Sequence, residues 1–177
     1  MNPLSILKFV IISLLLFNLA WAITACKKNN SNSIKSYMRY KVNGEQKQYD
    51  TCYVTLMGQF PNSTPPFYYC AIACGRYGNS GIIATLYNNN EISATQYTEA
   101  IFSRTQIPTA ILGGYRDANN ALYISWQNGW PNYPVTVDIT EVTARYVKGK
   151  FSGTMRIVDG TKEITITGGE FLALTNK

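Results

Sequence analysis

The side chains able to do chemistry in this sequence are cysteines, carboxylates and aromatic rings, because histidine is absent. Without an imidazole there is no Ser-His-Asp or Cys-His triad and no histidine-ligated zinc or iron. Cys52, Cys70 and Cys74 fall in the body of the chain. Cys70 and Cys74 lie in one extended stretch, about 13 Å apart along one face and beyond disulfide reach of each other. The expectation is a disulfide from Cys52 on one strand to Cys70 or Cys74 on the next, and the rival reading is buried thiols packing as small apolar groups. The carboxylates are Glu45, Asp50, Glu91, Glu99, Asp117, Asp138, Glu141, Asp159, Glu163 and Glu170. A glycosidase needs two of them facing each other across a cleft. Asp138 and Glu141 have opposite parity on one strand and Asp159 sits in a turn, so no pair stands out and the chain reads as non-enzymatic. Asp117-Ala118-Asn119-Asn120 offers oxygens as a calcium loop would, but it also has the composition of an ordinary hairpin turn, which is the reading adopted. No metal and no cofactor is expected.

A further aromatic run is Tyr123-Ile124-Ser125-Trp126-Gln127-Asn128-Gly129-Trp130-Pro131-Asn132-Tyr133. Trp126, Trp130 and Tyr133, with the amides of Gln127 and Asn132, suit stacking on a sugar face or gripping a peptide. The favoured reading is the plainer one, that Trp126 ends a core strand while Trp130 and Tyr133 cap one end of the fold, with ligand contact as the alternative. Tyr68, Tyr69 and Tyr77 read as half-buried strand residues.

Cys26 has a different setting. Phe9 to Trp21 is uncharged, with only Ser13 and Asn18 as polar interruptions, and is followed by Ile23-Thr24-Ala25-Cys26. The run is shorter than the roughly 20 residues that cross a bilayer, so it reads as a signal-peptide core. Ala20-Trp21-Ala22 fits ordinary signal peptidase, whereas Ile23 to Cys26 resembles the lipobox of bacterial lipoproteins, the more specific of the two patterns. That resemblance implies residues 1–25 as a signal peptide and Cys26 as the carrier of a diacylglycerol thioether and an amide-linked acyl chain. At roughly 0.8 kcal/mol per buried CH₂, one chain holds marginally and two or more hold stably. Residues 26–36, polar but for Ile34 among the residues after the cysteine, read as a flexible tether. Loss of residues 1–25 removes Lys8 from the 16 Lys and Arg, leaving 15 against 10 acidic residues and a net charge of +5. No basic run accompanies it, so nucleic acid is not an expected partner.

Residues 37–177 must position all of this, and they read as a single all-β domain, an antiparallel sandwich or squat barrel of about eight to ten strands. Asn43-Gly44 marks a two-residue hairpin between Tyr37 to Val42 and Glu45 to Tyr49. Further extended stretches are Cys52 to Met57, Phe67 to Cys74, Ile82 to Tyr87, Ile111 to Tyr115 and Leu122 to Trp126. Pro61 to Pro66 is a break. Near the end, Val135, Val137 and Ile139, then Val147, Phe151, Met155 and Ile157, then Ile164 and Ile166 alternate with polar neighbours. Gly168-Gly169 shifts the last apolar set to Phe171 and Ala173 or to Leu172 and Leu174, as a bulge does. A helical turn is tolerated in Glu91 to Thr105, with Thr98 as its cap.

The ending Val147-Lys148-Gly149-Lys150-Phe151-Ser152-Gly153-Thr154, followed by Ile164-Thr165-Ile166-Thr167-Gly168-Gly169-Glu170-Phe171, resembles the C-terminal pattern of small Bacteroidota outer-membrane lipoproteins. The Lys41-Val42-Asn43-Gly44 hairpin is similar too. The likeness carries no catalytic residue. Surface-displayed members often have acidic residues after the lipidated cysteine, whereas this chain has Lys27 and Lys28, which implies the periplasmic face of the outer membrane. The expected function is thus a lipid-anchored envelope module that binds a glycan, a peptide or an envelope protein. The alternatives are a structural or assembly subunit of an outer-membrane complex and, third, a carboxylate hydrolase.

Overall fold

The first turn sets the pattern. Asn43 and Gly44 take φ of 48° and 89°, the two left-handed residues that a type I′ turn requires, and fold β1 (Tyr37–Val42) back on β2 (Glu45–Tyr49). Asn43 also ties this tip to the last strand. Its amide donates to Thr165 O at 2.9 Å, and its Oδ1 accepts from Thr165 N at 2.8 Å.

The computed structural model describes residues 34–74, 81–99, 108–127 and 133–175. The described residues form twelve strands and no helix. After the first hairpin come β3 (Cys52–Gln59), β4 (Tyr68–Cys74), β5 (Ile83–Asn88), β6 (Gln96–Glu99), β7 (Thr109–Gly113), β8 (Tyr115–Arg116) and β9 (Leu122–Ile124). Three longer strands finish the chain: β10 (Val135–Val142), β11 (Tyr146–Ile157) and β12 (Glu163–Thr175). The fold is all-β, as the period-two alternation predicts. The strand count exceeds the expected range because β8 and β9 are short pieces that pair with each other, β9 also with the end of β11.

The order β3-β4-β5-β7-β6-β10-β11-β12 returns to β3, giving a squat barrel. Two of its seams are short and parallel, Leu174 and Thr175 on Tyr53 and Val54, and Thr98 and Glu99 on Thr109 and Ala110. Thr98 is therefore a strand residue, paired with Thr136 on its other side, and caps no helix. The cause is tertiary: β6 has four residues, too few for their own alternation to be read, and it holds only because Tyr97 is fully buried in the core between β7 and β10. The interior is filled with side chains, among them Tyr40, Tyr97, Tyr123, Phe171, Ile72, Leu86 and Met155.

The glycines of the C-terminal pattern have a packing reason. Gly149 is directly opposite Phe171, and Phe151 is directly opposite Gly169. A Cβ on Gly149 would come within 2.9 Å of the Phe171 ring, and one on Gly169 within 2.7 Å of the Phe151 ring. Each ring thus covers the glycine across from it, an exchange that removes the usual weakness of glycine in a strand. Gly168, at φ 59°, supplies the bulge. Thr167 and Gly168 together oppose Ser152, so the buried set moves from Ile164 and Ile166 to Phe171 and Ala173.

Candidate functional site

The Trp126 to Tyr133 run lies between β9 and β10, and its two ends are firmly held. Ser125 is buried; its amide donates to Leu112 O at 2.7 Å and its Oγ accepts from Leu112 N at 2.9 Å. On the far side, Thr154 N donates to Pro134 O at 2.9 Å. Trp126 is half-buried, and Tyr133 is buried with its hydroxyl 3.4 Å from Arg156 Nη1. Gln127 Oε1 is enclosed and accepts no hydrogen bond among the described residues. Trp130 and Asn132 lie outside the described residues, as do Tyr77, Cys26, the expected signal peptide over residues 1–25 and the expected tether as far as residue 33. Of these aromatic side chains, then, Tyr133 is buried and Trp126 is partly so.

A second aromatic group is fully described, on the outer face of β3, β4 and β5. Phe60 and Phe67 close the ends of these strands around the proline-rich turn, and their backbones meet at 2.8 Å, Phe60 N donating to Phe67 O. Ser63 braces the turn: its Oγ donates to Phe60 O and accepts from Phe67 N, both at 3.0 Å. The Phe60 and Phe67 rings stack with centroids 5.3 Å apart, Phe60 leans on Tyr69 at 4.7 Å, and Phe67 stacks on Tyr87 at 5.5 Å. Tyr69 and Tyr87 are direct cross-strand partners. Tyr69 and its odd-numbered neighbours turn outward because Cys70, Ile72 and Cys74 turn in. Leu56 is 60% and Phe60 40% exposed, and Phe67, Tyr69 and Tyr87 are half-buried, so part of this ring group meets water. Groups of this kind on a soluble face mark contact sites more often than singly scattered apolar residues do.

The outer face of the longer strands is the opposite in character. Register places Gln96, Asp138, Lys150, Glu170, Arg39 and Gln48 in one row across β6, β10, β11, β12, β1 and β2. Arg39 Nη2 reaches Glu170 Oε2 at 2.8 Å. A shallow groove of about 440 Å³ lies over this row, lined by Thr136, Asp138, Lys150, Ser152, Gly168 and Glu170 among others. Asp138 is placed here, away from Glu141, whose Oε1 accepts from Tyr146 Oη at 2.6 Å.

Asp117 is a turn residue. Its Oδ1 accepts from Asn119 N at 2.9 Å and Ala121 N at 3.0 Å, and its Oδ2 accepts from Tyr123 Oη at 3.2 Å. The hydrogen bond from the Ala121 amide is the chief cause that holds this carboxyl below its ordinary range. All three described cysteines are buried thiols. Cys52 stands directly opposite Cys74 on the neighbouring strand, whereas Cys70 stands opposite Met57. Burial pushes the Cys70 and Cys74 thiols up to about 12 from the usual 9.0, and Cys52 higher still.

Sequence reasoning missed the strip of Phe60, Phe67 and Tyr87. A signal was present, since two phenylalanines bracket the run Pro61 to Pro66, but ring adjacency needs the register of three strands. No family model matches the chain, and neither a curated protein nor a solved structure is significantly similar to it.

Proposed function

We propose that this chain is a lipid-anchored, non-enzymatic binding module of a bacterial cell envelope, tethered through Cys26 at the periplasmic face of the outer membrane. The observation that carries the binding reading is the outer aromatic strip, Phe60, Phe67, Tyr69 and Tyr87, with Leu56 exposed beside it. Adjoining rings on a rigid sheet offer flat apolar area at low entropic cost, which suits the face of a glycan ring or a proline- or aromatic-bearing peptide. The firmly held ends of the Trp126 to Tyr133 run support a second contact there. The anchor reading rests on the residues before Cys26.

The test is affinity capture of the mature lipoprotein from its own envelope, repeated with Phe60→Ala. Because Phe60 is 40% exposed, its truncation leaves the fold intact while weakening capture about tenfold or more, as loss of a central aromatic contact does. Capture undiminished by Phe60→Ala and by Tyr87→Ala sinks the strip as the binding surface. Membrane fractionation tests the anchor separately: Cys26→Ala should be released from the membrane and take up no palmitate label.

The assembly-subunit reading keeps one observation in its favour, the burial of Tyr133, which spends a candidate ligand residue on the core. If Trp130 fluorescence is that of a buried ring and no glycan moves it, the loop contributes no platform and this second reading gains.

A further inference from the structure

Cys52 and Cys74 are the only described cysteines placed directly across from one another, in the β3–β4 register. Directly opposed residues of an antiparallel pair have Cα atoms about 4.5 to 5.5 Å apart, inside the roughly 4.4 to 6.8 Å that a disulfide spans. Both side chains turn into the core, at 0% and 6% exposure. Cys70 faces inward too, but its cross-strand neighbours are Met57 and Leu86. We propose that Cys52 and Cys74 are joined by a cross-strand disulfide, that Cys70 remains a thiol, and that the bridge is made in the open β3–β4 hairpin before β5 docks on β4.

The co-reactant is a disulfide, either a small one such as oxidised glutathione or one carried by a protein oxidant. One cysteine, as thiolate, attacks a sulfur of the incoming disulfide and forms a mixed disulfide while the first thiolate leaves. The other cysteine, as thiolate, then attacks the chain-side sulfur and releases the second thiolate. Two protons lost by the cysteines end on the two released thiols, and the two electrons lost in making the new S–S bond reduce the old one.

The order of events follows from what surrounds Cys74 once the ring is closed. Its thiol donates to Ile82 O at 3.5 Å, and Gly81 lies so close that a Cβ there would sit 2.3 Å from Cys74 O and 3.0 Å from Sγ. With Cys74 6% and Cys52 0% exposed, little of either sulfur is left for an incoming disulfide to reach. The folded thiol is also a poor nucleophile, because burial leaves very little of it as thiolate at neutral pH. In the open hairpin neither obstacle exists.

The experiment refolds the reduced, denatured mature chain in a glutathione redox buffer, then alkylates it in denaturant and maps it without reduction. It needs no envelope and no ligand, so its outcome is separate from that of the proposed function. The expected result is a linked peptide containing Cys52 and Cys74, with Cys70 alkylated, and the same linked peptide from Cys70→Ala. Full alkylation of all three cysteines, or a linked peptide that contains Cys70, overturns the pairing. Folded reduced protein placed in the same buffer should gain the bridge at least about thirtyfold more slowly than the refolding chain. Equal rates overturn the hairpin-stage assignment.

Discussion

The barrel wears two unlike outer faces built on the same alternation. Across β10, β11 and β12 the outward positions form a row of alternating charge, Asp138, Lys150, Glu170 and, from β1, Arg39. Across β3, β4 and β5 the outward positions are rings, Phe60, Phe67, Tyr69 and Tyr87. The polar face lies over close strand packing, where Phe151 and Phe171 each cover an opposed glycine. The aromatic face has room: a Cβ on Gly58 would come no nearer than 3.7 Å, to the Tyr69 hydroxyl. One region spends its aromatic rings on holding strands together, and the other leaves them where a partner can meet them.

The largest effect should come from placing one methyl group in each region. Gly169→Ala puts a Cβ 2.5 Å from Phe151 O, so backbone or ring must shift, and urea unfolding should show a loss of about 3 kcal/mol. Gly58→Ala makes only an ordinary contact and should be neutral or stabilising by about 0.5 kcal/mol. Equal losses at the two sites would erase the contrast in packing. Next in size is the response to acid, which belongs to the polar half, where Asp117 joins the β8–β9 turn to Lys162 before β12 at 3.9 Å. The folded pKa of Asp117 is depressed, so its contribution is complete above the ordinary 3.8 and is lost as pH falls through the lower folded value. Asp117→Asn should therefore flatten the acid limb of a stability-against-pH curve, and an unchanged limb would show that the turn is held by something else. The smallest effect is expected at the charge row itself. Arg39 and Glu170 are exposed, at 52% and 38% of their side chains, so Arg39→Gln should leave the urea midpoint where it was. A clear drop would mean that the row acts as a cooperative network.

Much of the fold was legible because its signals are local. The Asn43-Gly44 turn, the bounds of β1 and β2 and the shift of the buried set at Gly168 depend on backbone preference and period-two alternation within a few residues. β6 was misread because four residues carry no usable period and its burial comes from β7 and β10. Of the candidate site, the Trp126 to Tyr133 run was visible as composition, and Tyr133 was readable as a cap on one end of the fold; its hydroxyl contact with Arg156 of β11 was not, since it depends on pairing between distant segments. The two alternatives for a Cys52 bridge were equally compatible with spacing, and only the β3–β4 register sets Cys74 opposite.

The sequence alone determined the all-β class and the turns, and it contains the residue pattern on which the proposed Cys26 anchor rests, because each is written in contiguous residues. Tertiary structure decided which strands meet. It closed the ring through two short parallel seams, paired phenylalanine with glycine across β11 and β12, and gathered Phe60, Phe67, Tyr69 and Tyr87 into one strip. The reason is that alternation fixes which side of a strand a residue takes, while its neighbours on that side depend on pairing between segments distant in the chain.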